Sequence, residues 1–185
     1  MQELSMNVLD VAENSVAAGA SLTQITLSID TAQKRLELVI ADNGKGMPPE
    51  VAARVTDPFY TTRTTRKVGL GLPFLKMAAE LAGGGMQLTS AVGEGTTVRA
   101  WFTLGHIDLA PLGDMAATVA GLIQCNPDVD FVYTVTADGQ CFCADTRELR
   151  AILDGVPFSE PSVALWVREY IDENTQPLLK RSNAV

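Results

Sequence analysis

The chain has 185 residues, of which 46% are hydrophobic and 19% charged, and its formal net charge is -8. This length and composition allow one domain, or one domain with a smaller companion, and they exclude a chain that is disordered throughout. The negative charge argues against a general nucleic-acid binder, which needs the opposite sign. The 3 cysteines are too few for a secreted disulfide framework, and no apolar run is long enough to cross a bilayer. We therefore expect a cytoplasmic protein that binds neither nucleic acid nor a membrane.

The first half of the chain alternates between helical and strand patterns. Apolar residues from Leu4 to Ala18 recur at helical spacing, and Gly19 follows them as a helix stop. Thr23–Asp30 and Arg35–Asp42 alternate between apolar and polar residues, which predicts two strands joined by a hairpin turn. After them we predict a short helix near Pro48–Val55, a helix from about Leu70 to Leu81, and strands in MQLTSA and TTVRAWFTL.

The pattern changes after Gly105. We predict a helix in PLGDMAATVAGLIQ, a hairpin from DFVYTVT and QCFCAD, a capped helix in DTRELRAIL, and a final helix from about Pro161 to Tyr170 or beyond. A soft boundary near His106 divides the chain into an α/β unit over residues 1–105 and a small α/β segment of unknown role over residues 106–185. No linker rich in Pro, Gly or Ser marks this boundary, so we expect the two parts to pack together.

Asp10 and Asn14 are four residues apart on the first predicted helix and therefore share one face. A carboxylate and a carboxamide on one face suit a hydrated magnesium ion, which takes oxygen ligands and keeps several waters. The carboxylate is also suited to orient or deprotonate a nucleophile. Taken alone, the pair is more simply an ordinary polar helix surface.

The stretch DNGKGM follows the second predicted strand. The Asp42 carboxylate would project at the strand end, where it accepts a hydrogen bond from the amino group of a base. Gly44 and Gly46 would let the backbone pass close to a flat ring. An ordinary turn explains the same residues equally well.

The stretch DPFYTTRTTRKVGLGLPFLK places hydroxyls, basic residues and glycines directly before a helix. Gly69 and Gly71 precede the helix N-terminus, whose backbone N–H groups and dipole bind phosphate. Arg63, Arg66 and Lys67 add local positive charge to an acidic chain. The pattern is not the Rossmann fingerprint, because the third glycine is missing, and it is not a P-loop.

The motifs occur in one order over residues 3–104: an asparagine on the first helix, DxGxG after a strand, DPFYTTR, GLGL before a helix, and GxGTT before the last strand. This order resembles the Bergerat-type ATP-binding family shared by gyrase, heat-shock chaperones, histidine kinases and mismatch-repair ATPases. ENSVAAGAS is similar to the mismatch-repair motif, and GLGLPFLK to the histidine-kinase motif. The resemblance implies a stand-alone short member with a two-layer α/β sandwich, in which helices cover one face of a mixed sheet.

The resemblance also implies roles for individual residues. Asn14 matches the asparagine that binds Mg²⁺, Asp42 the aspartate that recognises adenine, and Thr96 the threonine that supports this contact. Asp10 falls where ATP-hydrolysing members place a catalytic glutamate, and the shorter side chain argues against efficient hydrolysis more than against nucleotide binding. Residues 57–68 would form a mobile lid over the ATP phosphates. The other positions implied to contact nucleotide are Gly44, Gly46, Met47, Phe59, Thr61, Thr62, Arg63, Lys67, Gly69, Leu70, Gly71 and Leu72.

Several functions are compatible with such a site. The resemblance favours a cytoplasmic histidine/serine-kinase-like phosphotransferase that uses Mg-ATP and acts on a partner protein in signal transduction, with Asp10 as general base. One alternative is a regulatory module whose nucleotide occupancy changes its contact with a partner without chemistry. Another is a plain ATPase whose hydrolysis drives the opening of a homodimer.

Residues outside these motifs have simpler interpretations. His106, the sole histidine, is predicted to be structural, with a phosphoacceptor as the alternative. We expect Cys141 and Cys143 to lie on opposite faces of a strand as buried small hydrophobic residues, because a metal site needs more ligands nearby.

The stretch GHIDLAPLGDMAATVAGLIQCNPDVDFVY resembles a small set of short ATP-binding proteins of anaerobic bacteria. These tend to accompany iron–iron hydrogenase and NADH-dehydrogenase-like subunits. The resemblance implies a redox or hydrogenase-associated protein as the partner.

Overall fold

The computed structural model describes residues 3–57 and 71–181 of the chain. Its helices are α1 (Leu4–Ala17), α2 (Pro49–Ala52), α3 (Gly71–Leu81), α4 (Met115–Cys125), α5 (Thr146–Leu153) and α6 (Pro161–Arg181). Its strands are β1 (Leu22–Asp30), β2 (Arg35–Asp42), β3 (Gly85–Ala91), β4 (Gly95–Thr103), β5 (Asp130–Ala137) and β6 (Gln140–Asp145). Within the described ranges these strands form a 6-stranded sheet in the order β3-β4-β2-β1-β5-β6.

The β1–β2 hairpin shows how the sequence pattern builds the sheet. Its apolar residues pair directly across the two strands, with Ile25 opposite Ile40 and Leu27 opposite Leu38. These side chains are buried beneath the helices, while the alternate positions face the open side of the sheet. The turn lacks the favoured Asn-Gly pair, and Lys34 adopts the left-handed conformation with a φ of 51°.

The strands of the C-terminal segment continue the same sheet. β5 pairs in parallel with β1, whereas the remaining strand pairs are antiparallel. Buried residues of both halves form one contiguous hydrophobic core, to which Ile25 and Leu75 contribute from one half and Tyr133 and Ile171 from the other. The predicted mixed α/β sheet with packed helices is therefore confirmed. The division into two domains near His106 stays a prediction, because it concerns independent folding.

Helix boundaries differ modestly from the predicted ones. α4 begins at Met115 because the Asp114 side chain caps it, accepting a hydrogen bond from the Ala117 N–H over 2.8 Å. α2 is limited to Pro49–Ala52, and α6 continues to Arg181 with Pro177 inside it. Within the described residues, no helix is both long enough and apolar enough to span a bilayer.

Candidate functional site

A cavity of about 480 Å³ opens between α1, α2, the start of α3 and the ends of β2 and β4. This volume is within the range of small-molecule sites, roughly 300–1,000 Å³. Its lining includes Asn14, Asp42, Met47, Leu72 and Thr96, which are all sequence-predicted site residues. A larger depression of about 700 Å³ lies at the other end of these strands, around the β1–β2 and β5–β6 turns. It contains none of the predicted site residues, so we assign the functional site to the smaller cavity.

Asp42 anchors one end of this cavity. It is the last residue of β2 and lies opposite Thr96 on β4. Its Oδ2 accepts a hydrogen bond from the Ser15 hydroxyl over 2.7 Å, and its Oδ1 accepts one from the Gly44 N–H over 2.9 Å. Two donors from different elements therefore fix the orientation of a carboxylate that lines the cavity.

Ser90 on β3 organises the neighbouring wall. Its hydroxyl accepts a hydrogen bond from the Met47 N–H over 2.8 Å, donates to the Gly95 carbonyl over 3.0 Å, and lies 2.9 Å from the Thr96 hydroxyl. Sequence reasoning missed both Ser90 and Ser15. Two features of the sequence could have predicted them. Ser15 directly follows Asn14, and counting residues outward from the VGEG turn places Ser90 opposite Thr96.

The glycines of DNGKGM are required by close chain packing. A Cβ on Gly44 would lie 3.0 Å from both the Ala18 Cβ and the Asp42 Oδ1. Gly46 has a φ of +65°, and a Cβ there would overlap the carbonyl oxygen of Ala91. A side chain at either position would displace α1 or the β3–β4 turn from the cavity.

Asp10 and Asn14 occupy the same face of α1, and Asn14 lines the cavity. Gly71 is the first residue of α3 and packs against Asp10, since a Cβ on Gly71 would lie 2.7 Å from the Asp10 Cβ. Partial burial raises the pKa of the Asp10 carboxyl above its ordinary value. From Asp10 to its last residue, Ala17, α1 extends for about 10 Å along the site. The site is thus elongated, with Asp42 near one end and Asp10 and the α3 N-terminus at the other.

Part of the predicted site lies outside the described residues. This applies to Phe59, Thr61, Thr62, Arg63, Lys67, Gly69 and Leu70, and to nearly all of the predicted lid at residues 57–68. Lys45 is exposed and lines the cavity. It supplies a described basic residue that sequence reasoning did not assign to the site.

His106 is half-buried beside Gly83. Its Nδ1 accepts a hydrogen bond from the Asp108 N–H over 3.1 Å. In the neutral imidazole this leaves the proton on Nε2, so neither ring nitrogen offers a free lone pair as a nucleophile. The geometry favours the structural interpretation over the phosphoacceptor.

The expectations for Cys141 and Cys143 are wrong. Strand side chains alternate with a period of two, so residues i and i+2 share a face. Cys143 lies opposite Thr134 and Cys141 opposite Thr136, and both cysteines are exposed. The Thr134 hydroxyl donates to the Cys143 Sγ over 3.6 Å. Within the described residues no group of three or more His, Cys, Asp or Glu side chains could hold a metal.

Residues 1–106 match the family described as histidine kinase-, DNA gyrase B-, and HSP90-like ATPase. The chain belongs to this ATPase family. Among its relatives is a putative NtrY-like sensor histidine kinase of Rickettsia conorii, 29% identical over 59% of this chain and 18% of the relative. A putative sensor protein of Shewanella frigidimarina is 34% identical over 58% of this chain and 17% of the relative. The chain thus spans less than a fifth of the length of these relatives.

The fold agrees with this assignment. The crystal structure of the N-terminal domain of a DNA repair protein superposes with a TM-score of 0.55 at 18% identity, covering 77% of this chain and 52% of the other. The coverage exceeds residues 1–106, so the structural likeness reaches into the C-terminal segment. Because the family binds ATP, the chain contains an ATP-binding, kinase-like ATPase module.

Proposed function

We propose that the protein is a cytoplasmic Mg-ATP-dependent phosphotransferase of the histidine/serine-kinase-like class that acts on a partner protein in signalling. The observation that carries this proposal is the arrangement along α1. The partly buried Asp42 carboxylate, which Ser15 orients, lines the cavity. The half-buried Asp10 lies about one helical turn before Asn14, beside the α3 N-terminus and outside the cavity lining. The Asp42 end of the site is suited to bind the adenine base, and the end near Asp10 and the α3 N-terminus is suited to bind the phosphates.

The hydrogen-bonding capacity of Asp42 fits the recognition of adenine. The Asp42 carboxylate has about four lone-pair sites, of which Ser15 and Gly44 use one each. The remaining capacity suits the exocyclic amino group of adenine, which donates hydrogen bonds. Guanine carries a carbonyl at that position and would oppose the carboxylate, so the site should prefer ATP over GTP.

The phosphate end fits a magnesium ion held mainly by the nucleotide. Asn14, which lines the cavity, would supply one oxygen ligand, and phosphate oxygens and waters the rest. When bound, Mg²⁺ neutralises the charge of the transferring phosphoryl group. The N-terminus of α3, which begins at Gly71, adds N–H donors at the same end.

Asp10 is suited to act as the general base for the acceptor group of the partner. Its raised pKa, caused by burial, brings a carboxylate closer to the value a base needs near neutral pH. It would accept the proton of the partner's nucleophile as the terminal phosphoryl group leaves ADP. Packing against Gly71 holds the carboxylate next to the phosphate end.

Transfer of labelled phosphate from ATP to a partner purified from the source cell tests the proposal. We expect Asp10→Asn to keep ATP binding and lose transfer. Glu13→Gln is the matched control, because Glu13 is exposed on the same helix. No labelled protein in the native lysate, together with normal ATP binding, would contradict the phosphotransferase.

The regulatory module without chemistry is the second candidate. It is favoured by the short Asp10 side chain, which is about one methylene shorter than the glutamate that ATP-hydrolysing members of the family place at this position. If partner binding survives Asp10→Asn but is abolished by Asn14→Ala, this alternative is supported.

The plain ATPase makes a different prediction. Its steady-state rate of ATP hydrolysis per molecule would rise with protein concentration, because hydrolysis would be coupled to dimerisation.

A further inference from the structure

Thr23 carries a buried hydroxyl that no partner satisfies. The residue has 0% exposure, and its Oγ1 has no hydrogen-bond partner among the described residues. A buried polar group without a partner destabilises a fold relative to an apolar group of the same shape. Valine has the same shape as threonine, so packing alone would be served better by valine at this position.

The register of the sheet places Thr23 beside Asp42. The two residues pair directly across β1 and β2, and Asp42 pairs in turn with Thr96 on β4. Directly opposed side chains in antiparallel strands have Cβ atoms about 4.5–5.5 Å apart. The side chain of Thr23 belongs to the helix-covered face, as do Ile25 and the Asp42 carboxylate that Ser15 contacts.

The ends of the two strands are tied so that this neighbourhood is fixed. The Asn43 Oδ1 accepts hydrogen bonds from the N–H groups of Ser21 and Leu22 over 2.9 and 3.0 Å. The Asn43 N–H donates back to the Leu22 carbonyl over 3.3 Å. Thr23 therefore follows a clamped strand start and cannot move away from Asp42 without breaking these bonds.

The Asp42 carboxylate retains capacity to accept further hydrogen bonds. Ser15 and Gly44 use one lone-pair site on each oxygen, which leaves sites for a base and for a further donor. An ordered water with several polar partners is the usual way to satisfy a buried hydroxyl near a carboxylate. Thr23 and Asp42, which pair directly across β1 and β2, provide two such partners.

We propose that Thr23 is a positioning residue of the base-recognition end of the site. Its hydroxyl shares one ordered water with the Asp42 carboxylate, and this water holds the carboxylate in the orientation that accepts the adenine amino group. The inference rests on the proposed nucleotide site and adds to it a residue that has no direct contact with nucleotide.

The test compares Thr23→Val with Thr23→Ser, and uses Tyr133→Phe as the matched control. Tyr133 also has a buried hydroxyl without a partner among the described residues, but it lies opposite Ile25 rather than Asp42. Calorimetry gives the affinities of each variant for Mg-ATP and Mg-GTP. We expect Thr23→Val to weaken ATP binding by about 5–10-fold, with GTP binding unchanged, while Thr23→Ser and Tyr133→Phe bind ATP like the wild type.

Unchanged ATP affinity in Thr23→Val, or an equal loss for ATP and GTP, would overturn the inference. A second measurement needs no nucleotide: urea unfolding of Thr23→Val, Asp42→Asn and the double variant. If the water links the two side chains, the effects are non-additive, whereas independent residues give additive effects. A wild type that fails to bind ATP would refute the proposed function, and the unfolding cycle would still decide the Thr23–Asp42 link.

Discussion

The Ser15 hydroxyl donates to the Oδ2 of Asp42 over 2.7 Å and so joins the first helix to the end of the second strand. The two residues are 27 positions apart, and Ser15 is buried. The bond therefore serves both the packing of α1 and the orientation of the cavity carboxylate.

Ser15→Ala should weaken ATP binding by about tenfold and lower the free energy of unfolding by about 1–2 kcal/mol, because it removes a donor to a charged, partly buried acceptor. Calorimetry with Mg-ATP and urea unfolding measure the two effects. Ser162→Ala on the exposed side of α6 is the control and should change neither. Wild-type affinity in Ser15→Ala would show that the Ser15 hydroxyl is not needed to orient the Asp42 carboxylate.

Gly71→Ala should disturb the phosphate end of the site, because its new Cβ would lie 2.7 Å from the Asp10 Cβ. We expect weaker ATP binding and lower stability from the shift of α3 that this contact forces. Gly121→Ala is the matched helical control: a Cβ at Gly121 meets nothing within 4 Å. It should raise stability by about 1 kcal/mol through helix propensity. Urea unfolding measures both free energies of unfolding, and we expect a decrease for Gly71→Ala and an increase for Gly121→Ala.

Asp10→Asn should be more stable than the wild type at pH 7. Burial raises the pKa of Asp10, so the folded state favours the protonated carboxyl, and its stabilising contribution is lost as pH rises through the folded pKa. The advantage of the variant should shrink as pH falls towards 4. Asp128→Asn, at an exposed site, should show no such trend. Equal stability of Asp10→Asn and wild type from pH 4 to 7 would contradict a burial penalty at Asp10.

All 3 cysteines should react with a thiol reagent in the native protein, because Cys125, Cys141 and Cys143 are exposed. Titration with Ellman's reagent, with and without denaturant, measures the number of accessible thiol groups. Protection of Cys141 and Cys143 without denaturant would mean that a second copy or a partner covers the open face of the sheet at β6.

Residues 1–105 expressed alone should unfold at lower urea concentration than the whole chain. Without β5 and α4 they expose one edge of β1 and the apolar side chains of α1 that face α4. A chain ending at Arg181 keeps all the described elements and serves as the control. Equal stability of residues 1–105 and the whole chain would establish the predicted domain boundary.

Local patterns were enough to predict much of the fold. The alternation in Thr23–Asp30 and Arg35–Asp42 predicted the hairpin, and the spacing of Asp10 and Asn14 predicted their shared face. The pairing of β5 with β1 was not predictable, because it joins residues more than 100 positions apart and no local pattern specifies a strand's second neighbour.

The candidate site likewise could be predicted only in part from local sequence patterns. Asp42, Asn14 and Thr96 carry recognisable motif positions, whereas Ser15 and Ser90 acquire their roles through contacts that only the folded chain creates. The error at Cys141 and Cys143 has another origin. The strand was predicted correctly, but its side-chain period was misapplied, and an edge strand leaves one face open to solvent.

The place of β1 between β2 and β5 has a consequence for synthesis on the ribosome. The N-terminal hairpin can form as soon as residue 42 has emerged, but the other neighbour of β1 arrives only with residues 130–137. At about 5–20 residues per second, the nascent chain carries a partly unpaired, apolar strand for several seconds or more. This interval is when a holdase chaperone would find the chain most easily.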